Sequence, residues 1–192
     1  IAVAQSLLGL VYRSSRVDVE VLGKIPGEKA AWGGVRNHPD RVPVPGVLVL
    51  RLDSSLFWVN AAAVRDAILE AVDAAAELEA PKALVLDLES TDQLETTSAD
   101  MLSALRDELA ERGIDLYLVR VRWPVRRLLA RCGLREALGE DHLWHNVAQG
   151  VREARRQHQL GGHRHPEPNV TDAAEDVIVA PTLLDDEQDG DA

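Results

Sequence analysis

Cysteine is almost absent from this chain of 192 residues, because Cys132 is its single example. A lone cysteine excludes an internal disulfide and argues against a zinc site built from thiolates, which fits a reducing compartment. Apolar runs of eighteen or more residues, the length of a bilayer-spanning helix, do not occur. Aromatic residues make up only 4%, but 46% hydrophobic residues are ordinary for a globular protein. Length and composition predict one domain with attached segments.

Basic residues are scarce at the C-terminal end of the chain. Residues 161–192 contain nine acidic residues and one Arg, which gives −8 of the formal charge of −11. Hydrophobic periodicity stops in the same region, and Gly, Pro, Asp and Glu become frequent. These features predict a disordered acidic tail over residues 159–192. An acidic chain without interleaved aromatics also argues against nucleic acid as a partner.

Common catalytic motifs are missing: the sequence has no GxSxG, HExxH, P-loop or GxGxxG. Four carboxylates lie close together without a paired His, Lys or Cys nearby in sequence: Asp87, Glu89, Asp92 and Glu95. A run of like charges of this kind is usually a solvated edge, and we interpret it so. The sequence therefore predicts a protein that is not an enzyme.

Two groups of cationic side chains each leave two interpretations open. His158, His163 and His165 have the composition of a metal-binding tract, but they lie where order is predicted to end, so we predict a solvated tail and no metal site. An arginine-rich stretch is suited either to anionic lipid headgroups or a phosphate, or to the solvated face of a strand and helix paired with nearby acids, which is the commoner case. Its members are Arg120, Arg122, Arg126, Arg127, Arg131 and Arg135.

Hydrophobic periodicity provides the fold prediction. Alternating or continuous apolar runs predict strands at four places: 17–22, 47–52, 83–88 and 115–121. Helical spacing of apolar residues predicts four helices: 60–79 capped by Asn60, 97–112, 124–132, and a last helix capped by Asn146. Segments 23–46 and 134–145 are rich in turn residues and are predicted to be connections. This order indicates an α/β domain, a mixed sheet with helices mainly on one face.

A turn rich in hydroxyl groups, called the hydroxyl turn below, separates the third predicted strand from the second predicted helix. Its residues are Glu95, Thr96, Thr97 and Ser98. Thr97 and Asp100 have the spacing of a capping box, so the turn is expected at a helix N-terminus, which favours anions such as phosphate. The residues are compatible with a phosphorylation switch at Thr96 or Thr97 and with simple helix caps, which are the commoner role.

The first twelve residues, IAVAQSLLGLVY, are mostly apolar and are followed by Arg13 and Arg16. This pattern is typical of the last turns of a membrane helix with basic residues on its cytoplasmic side. The alternatives are a buried amphipathic arm or the apolar part of a signal peptide, although a signal peptide would need a charged region before it. We therefore expect residues 1–16 to be the end of a truncated membrane helix with its juxtamembrane linker, and residues 17–158 to be the folded domain.

Residues 5–157 resemble the C-terminal cytoplasmic STAS domain of a SulP-type anion transporter. The segments LVYRSSR (10–16) and VLGKIPG (21–27) are similar to the chain that leaves the last membrane helix in that family. The segments PGVLVLRLD (45–53) and LFWVNA (56–61) resemble its second strand and the entry to its first helix. The segment PVR (124–126), with Leu129, Gly133 and Leu134, resembles a later part of the family pattern.

The resemblance implies a STAS-like sheet and a cytoplasmic regulatory or structural module of a membrane protein that carries sulfate or a related anion such as bicarbonate. It implies three kinds of partner: the transporter's own membrane domain, a second copy in a transporter homodimer, and a regulatory protein or weakly bound nucleotide. No cofactor is implied.

The same resemblance identifies Thr96 with the position phosphorylated in bacterial anti-sigma factor antagonists. Glu95 stands in place of the usual Asp and Ser98 in place of Gly, which argues against a phosphorylation switch here. A soluble, phospho-regulated binding protein of the antagonist kind remains the alternative function.

Overall fold

The computed structural model describes residues 17–160 except Lys29, Asn37 and Ser54. In chain order the strands of this part are β1 (Val19–Lys24), β2 (Trp32–Gly34), β3 (Val47–Leu52), β4 (Ala83–Asp87), β5 (Asp115–Val119) and β6 (Leu143–Trp144). They form one sheet in the spatial order β2-β1-β3-β4-β5-β6. β1 is antiparallel to both of its neighbours, and β3 to β6 are parallel. The prediction of a mixed sheet is confirmed.

Five α-helices accompany these strands in the described part of the chain: α1 (Ala61–Ala76), α2 (Thr96–Glu111), α3 (Trp123–Arg131), α4 (Leu134–Leu138) and α5 (Val147–Gln157). α1 connects β3 to β4 and α2 connects β4 to β5, as parallel neighbours require a crossover. Across residues 17–160, none of the helices has both the length and the apolar character of a bilayer span.

Alternation along the central strands gives the sheet two apolar faces. Leu48 and Leu50 of β3 lie in the core on one side, called the first face, where α1, α2, α3 and α4 pack. Val47 and Val49 lie on the opposite side, called the second face, which is covered by α5. Burial on both faces explains why these strands appear in the sequence as continuous apolar runs.

α5 lies close against the second face because of a glycine. A Cβ added at Gly150 would meet Cγ1 of Val119 at 2.6 Å, so a larger residue would push the helix away. Asn146 caps the helix as predicted, because its Oδ1 accepts a hydrogen bond of 2.9 Å from the Gln149 backbone N–H. Leu160, two residues beyond the predicted domain boundary, also packs on this face.

Besides a 3₁₀ turn at Glu140–His142, three elements lie in segments that the sequence predicted to be connections. β2 has three residues, two of them glycines, and it pairs with β1 so that Gly33 lies opposite Gly23. β6 has two residues and pairs with β5 through Leu118 and Leu143, and α4 has five residues. Elements this short have no measurable hydrophobic period, so the sequence pattern could not predict them.

Candidate functional site

The loops after β3, β4 and β5 meet at one edge of the sheet, called the carboxyl edge below. Oγ of Ser55 lies 3.3 Å from the Ser90 carbonyl oxygen, to which it donates, and this bond joins the first two loops. Arg122 follows β5, donates to the Glu89 carbonyl at 3.2 Å, and forms an ion pair of 2.9 Å with Asp92. In open α/β sheets, ligands commonly bind outside the carboxyl ends of the strands. The carboxyl edge is therefore the candidate site.

The hydroxyl turn lies at this edge, where α2 begins. The helix begins at Thr96, and Glu95 is an extended N-cap residue whose side chain makes no capping hydrogen bond. The predicted capping box of Thr97 with Asp100 is wrong, because Thr97 is already the second helical residue and cannot cap. Glu95, Thr96 and Thr97 are exposed. Ser98 is buried, and its Oγ has no hydrogen-bond partner within the described residues.

Asn60 is the N-cap residue of α1 as predicted, but its side chain makes no capping hydrogen bond to that helix. Its Oδ1 accepts a hydrogen bond of 2.8 Å from the Phe57 backbone N–H, and its Nδ2 donates to the Ser55 carbonyl at 3.0 Å. The buried amide therefore fixes the loop between β3 and α1. That loop exposes Trp58 to 65%, together with Phe57 and Val59, and Trp123 at the start of α3 is 70% exposed.

The prediction that the run of four carboxylates is a solvated edge is wrong for Asp87, because its side chain is fully buried. It accepts hydrogen bonds from Nε of Arg51 at 3.2 Å and from Nε of Arg120 at 2.9 Å. The Glu89 backbone N–H donates to it at 3.1 Å, and the Glu89 carboxylate pairs with Arg120. Strand alternation places Asp87 on the second face beside Val85, and a carboxylate buried there must be paired.

Arg120 has an unusual backbone conformation, with φ of 54°, a region that few residues other than glycine adopt. Its backbone N–H donates to the Trp144 carbonyl at 3.0 Å, while its guanidinium group returns to the end of β4. Burial would lower the pKa of Arg120, but hydrogen bonds and charges from Asp87 and Glu89 outweigh burial and raise it. For Asp53 the effect of burial has the opposite sign: burial raises the pKa of this carboxyl group, and the nearby positive charge of Arg51 offsets only part of the rise.

The arginines of the predicted basic stretch divide into a paired and an unpaired group. The two that follow β5 are paired with acids as described, and Arg135 pairs with Glu140 at 2.6 Å. The three arginines of α3, Arg126, Arg127 and Arg131, have no ion pair with any residue that the structure describes, and the last two are exposed. The paired interpretation therefore applies to the first group.

Of the three histidines in the predicted tract, only His158 lies in the part of the chain that the structure describes. His158 closes α5, and its Nε2 lies 3.1 Å from the Asp115 carboxylate. His163 and His165 lie outside the described residues. Within residues 17–160, no cluster of His, Cys, Asp and Glu could hold a metal ion.

The carboxyl edge combines exposed hydroxyls, exposed aromatic rings and arginines fixed by a buried carboxylate, which are features of a binding surface. Sequence reasoning missed Arg51 as a site residue, and it named Arg120 only as one member of the arginine-rich stretch. A signal for Arg51 was present, because it occupies a second-face position in the alternation that begins with Val47 and Val49. No local pattern indicated the left-handed conformation of Arg120.

The mixed sheet, its crossover helices and the hydroxyl turn at the start of α2 define the class of this protein as an α/β domain. The chain belongs to the STAS domain family, which matches residues 38–154.

Its relatives include sulfate transporters of the SulP family. A probable sulfate transporter of Mycobacterium tuberculosis is 34% identical over 156 residues, covering 81% of this chain and 27% of the relative. Low affinity sulfate transporter 3 of Stylosanthes hamata is 32% identical over 159 residues, covering 79% of this chain and 24% of the relative. The chain thus spans about a quarter of the length of these relatives.

Solved structures share the fold. The murine Solute Carrier 26 family member A9 anion transporter superposes with a TM-score of 0.68 at 16% identity, over 80% of this chain and 24% of that chain. A putative anti-sigma factor antagonist from Thermotoga maritima superposes with a TM-score of 0.50 at 17% identity, over 59% of this chain and 91% of that chain. At these identities the likeness concerns the fold alone.

Proposed function

We propose that this chain is the STAS part of a sulfate-type anion transporter, lying on the cytoplasmic side of the membrane, where it supports or regulates the membrane domain. The observation that carries the proposal is the 34% identity to a probable sulfate transporter over 81% of this chain and 27% of that relative. Because the matched segment is only 27% of that relative, the identity supports a role for this chain beside a larger membrane part.

In this proposal the chain neither transports nor catalyses, because the anion site belongs to the membrane part of the transporter. The carboxyl edge supplies a surface for a partner. Trp58 and Trp123 are more than half exposed there, and aromatic side chains are enriched in protein interfaces. Partners of this surface are the membrane domain, a second copy in the transporter dimer, or a regulatory protein or nucleotide.

Sulfate uptake by the complete gene product tests the proposal. The reading frame is extended upstream of Ile1 and expressed in a bacterial strain that lacks sulfate uptake, and labelled sulfate is counted with and without residues 17–192. We expect uptake to need the domain. A substitution in its core, Leu105→Ala, should lower uptake, whereas Leu78→Ala at a position 94% exposed should not.

Two results would contradict the proposal. One is a native start codon at this point with no hydrophobic segments before it. The other is uptake that is unchanged when residues 17–192 are removed, because a supporting or regulatory domain must alter the activity that it supports.

The second candidate is a soluble binding protein regulated by phosphorylation. The exposed hydroxyl of Thr96 at the start of α2 favours it, since a kinase could reach that side chain. Three neighbouring carboxylates in sequence oppose it, because they would repel an added phosphate: Asp92, Glu95 and Asp100. Mass spectrometry of the native protein distinguishes the two, and phosphate on Thr96 would favour this candidate.

A further inference from the structure

A cavity of about 100 Å³ opens on the second face of the sheet, beside the carboxyl edge. The second face is opposite the one on which α2 packs, so the cavity is separate from the hydroxyl turn. Six residues line it: Ala30, Trp32, Arg51, Arg120, Asn146 and Val147. They come from the β2 region, the ends of β3 and β5, and the start of α5.

Two guanidinium groups are fixed at the wall of this cavity by one carboxylate. Asp87 accepts hydrogen bonds from Nε of both Arg51 and Arg120, whose side chains remain 23% and 25% exposed. The Arg51 guanidinium is ion-paired with Asp87 through Nε, and its two amino groups, Nη1 and Nη2, make no hydrogen bond to any residue in the described part of the chain. Those amino groups are available as a fork of donors.

The start of α5 adds donors to the same cavity. Asn146 uses its Oδ1 to cap Gln149, so its amide N–H groups remain as donors. The backbone N–H of Val147 belongs to the first turn, where no intrahelical acceptor exists. None of the six lining residues carries a carboxylate. The lining therefore presents N–H donors, which complement an oxyanion. The charges of its two arginines are balanced by Asp87 and Glu89 just outside the lining, so the donors rather than a net positive charge define the site.

We propose that this cavity binds a small tetrahedral oxyanion of the sulfate or phosphate class. The fork of Arg51 holds the ion, assisted by Arg120 and the first turn of α5. Planar guanidinium groups bind such oxyanions through paired hydrogen bonds. The volume selects a small ion, because about 100 Å³ is far below the ~300–1,000 Å³ of sites for drug-sized ligands. Asp87 is a positioning residue, since it contacts the arginines rather than the ion.

The site does not depend on the proposed transporter function, because it is formed within this chain alone. The test therefore uses the full chain of 192 residues. Sodium sulfate and sodium phosphate are titrated separately while backbone and arginine side-chain N–H resonances are followed by NMR. Sodium chloride at equal ionic strength is the reference, because any salt screens charges. We expect saturable shifts at Trp32, Arg51 and Val147 with both oxyanions and none with chloride.

Two variants and one control locate the binding. Arg51→Gln removes the fork and should weaken binding at least tenfold. Ala30→Glu provides a second route, because Ala30 is exposed and the substitution adds a repelling carboxylate without touching the contacts of Asp87. It should weaken binding to a similar extent. Arg127→Gln removes an equal charge from the exposed side of α3 and should leave binding unchanged.

Several results would overturn the proposal. Shifts of equal size in chloride would show general screening, and equal weakening by Arg127→Gln would show that net charge alone matters. Binding that survives both Arg51→Gln and Ala30→Glu would place the ion elsewhere. Saturation by a nucleotide without saturation by sulfate or phosphate would identify a different ligand class. Sulfate uptake does not enter this test, so either proposal can fail without the other.

Discussion

The two faces of the sheet differ in what covers them. The first face is packed by four helices, and its core is almost entirely leucine, isoleucine, valine and alanine. The second face has α5 over a smaller core that includes Tyr117, whose hydroxyl donates to Oε1 of Gln157 at 2.7 Å. At the carboxyl ends of its strands this face changes from apolar side chains to Arg51 and Asp87.

This difference shows which part of the protein can provide binding specificity. A face covered by four helices has its apolar surface removed from water and contributes mainly to stability. A face covered by one helix leaves the ends of its strands open, so charged side chains reach solvent there. The comparison predicts large losses of stability from changes on the first face. On the second face it predicts losses that depend on charge and hydrogen bonds.

The largest effect is expected on the first face. Leu105→Ala removes a fully buried side chain from α2, and it should lower the free energy of unfolding by about 2–5 kcal/mol through lost burial and the cavity left behind. Urea denaturation measures the change. Leu78→Ala is the control, since its side chain is 94% exposed and its loss should change stability by less than about 0.5 kcal/mol. A loss below this limit for Leu105→Ala would contradict its place in the core.

The next effect concerns the buried charge of the second face. Asp87→Asn keeps the shape but leaves Arg51 and Arg120 without their carboxylate, and it should cost about 3 kcal/mol. Asp92→Asn is the matched control, because Asp92 is exposed and pairs with Arg122 at the surface, and about 0–1 kcal/mol is expected. Equal losses in urea denaturation would mean that burial does not distinguish the two carboxylates.

A smaller effect is expected at two of the predicted helix caps, Asn146 and Thr97. Asn146→Ala removes the bond to Gln149 at the start of α5 and should cost about 1 kcal/mol. Thr97→Ala should change stability by less than about 0.5 kcal/mol, because Thr97 is exposed and lies inside α2. Thermal unfolding compares the two variants. If Thr97→Ala cost as much as Asn146→Ala, the hydroxyl turn would have a capping role after all.

The smallest effect is a pH dependence on the second face. The His142 ring stacks on Tyr117 with centroids 4.4 Å apart, and burial lowers the pKa of His142 despite opposing charges from Asp115, Asp141 and Glu153. The folded state therefore disfavours the imidazolium. This contribution is complete above the unfolded pKa of about 6.5 and is lost as pH falls through the lower folded pKa.

His142→Phe keeps an aromatic ring beside Tyr117 and removes the titration. We expect its stability to fall less than that of the parent chain between pH 7.5 and pH 5.5. His145→Gln is the control, because His145 is exposed. An unchanged pH dependence in His142→Phe would show that other groups cause the acid sensitivity.

Much of the fold could be predicted from the sequence, because long elements have a clear period. β3, β4 and β5 were found from apolar runs, and α2 from the spacing of Leu102, Leu105 and Leu109. The hydroxyl turn was placed at a helix start, but the assignment of its caps failed. The start of a helix within a run of hydroxyl residues depends on one backbone turn, and several residues in that run have suitable side chains.

The site was harder to predict, because its residues come from different loops. Asp87 had the local appearance of a solvated acid, since its partners lie 36 and 33 residues away at Arg51 and Arg120. The cavity combines these arginines with Trp32 and the start of α5, which are distant in sequence. Neither the number of charges nor their spacing in the sequence can show that such groups line the same cavity.

The sequence by itself determined the α/β class, the buried central strands, the first turn of α3 at Pro124 and the cap of α5 at Asn146, because these follow from periodicity and local chemistry. Tertiary structure alone decided that β2 and β6 pair at the sheet margins, that Asp87 is buried, and that Arg51 meets the start of α5. The physical reason is distance along the chain: local patterns fix what a segment forms, whereas the pairing of remote charges depends on which segments the folded core brings together.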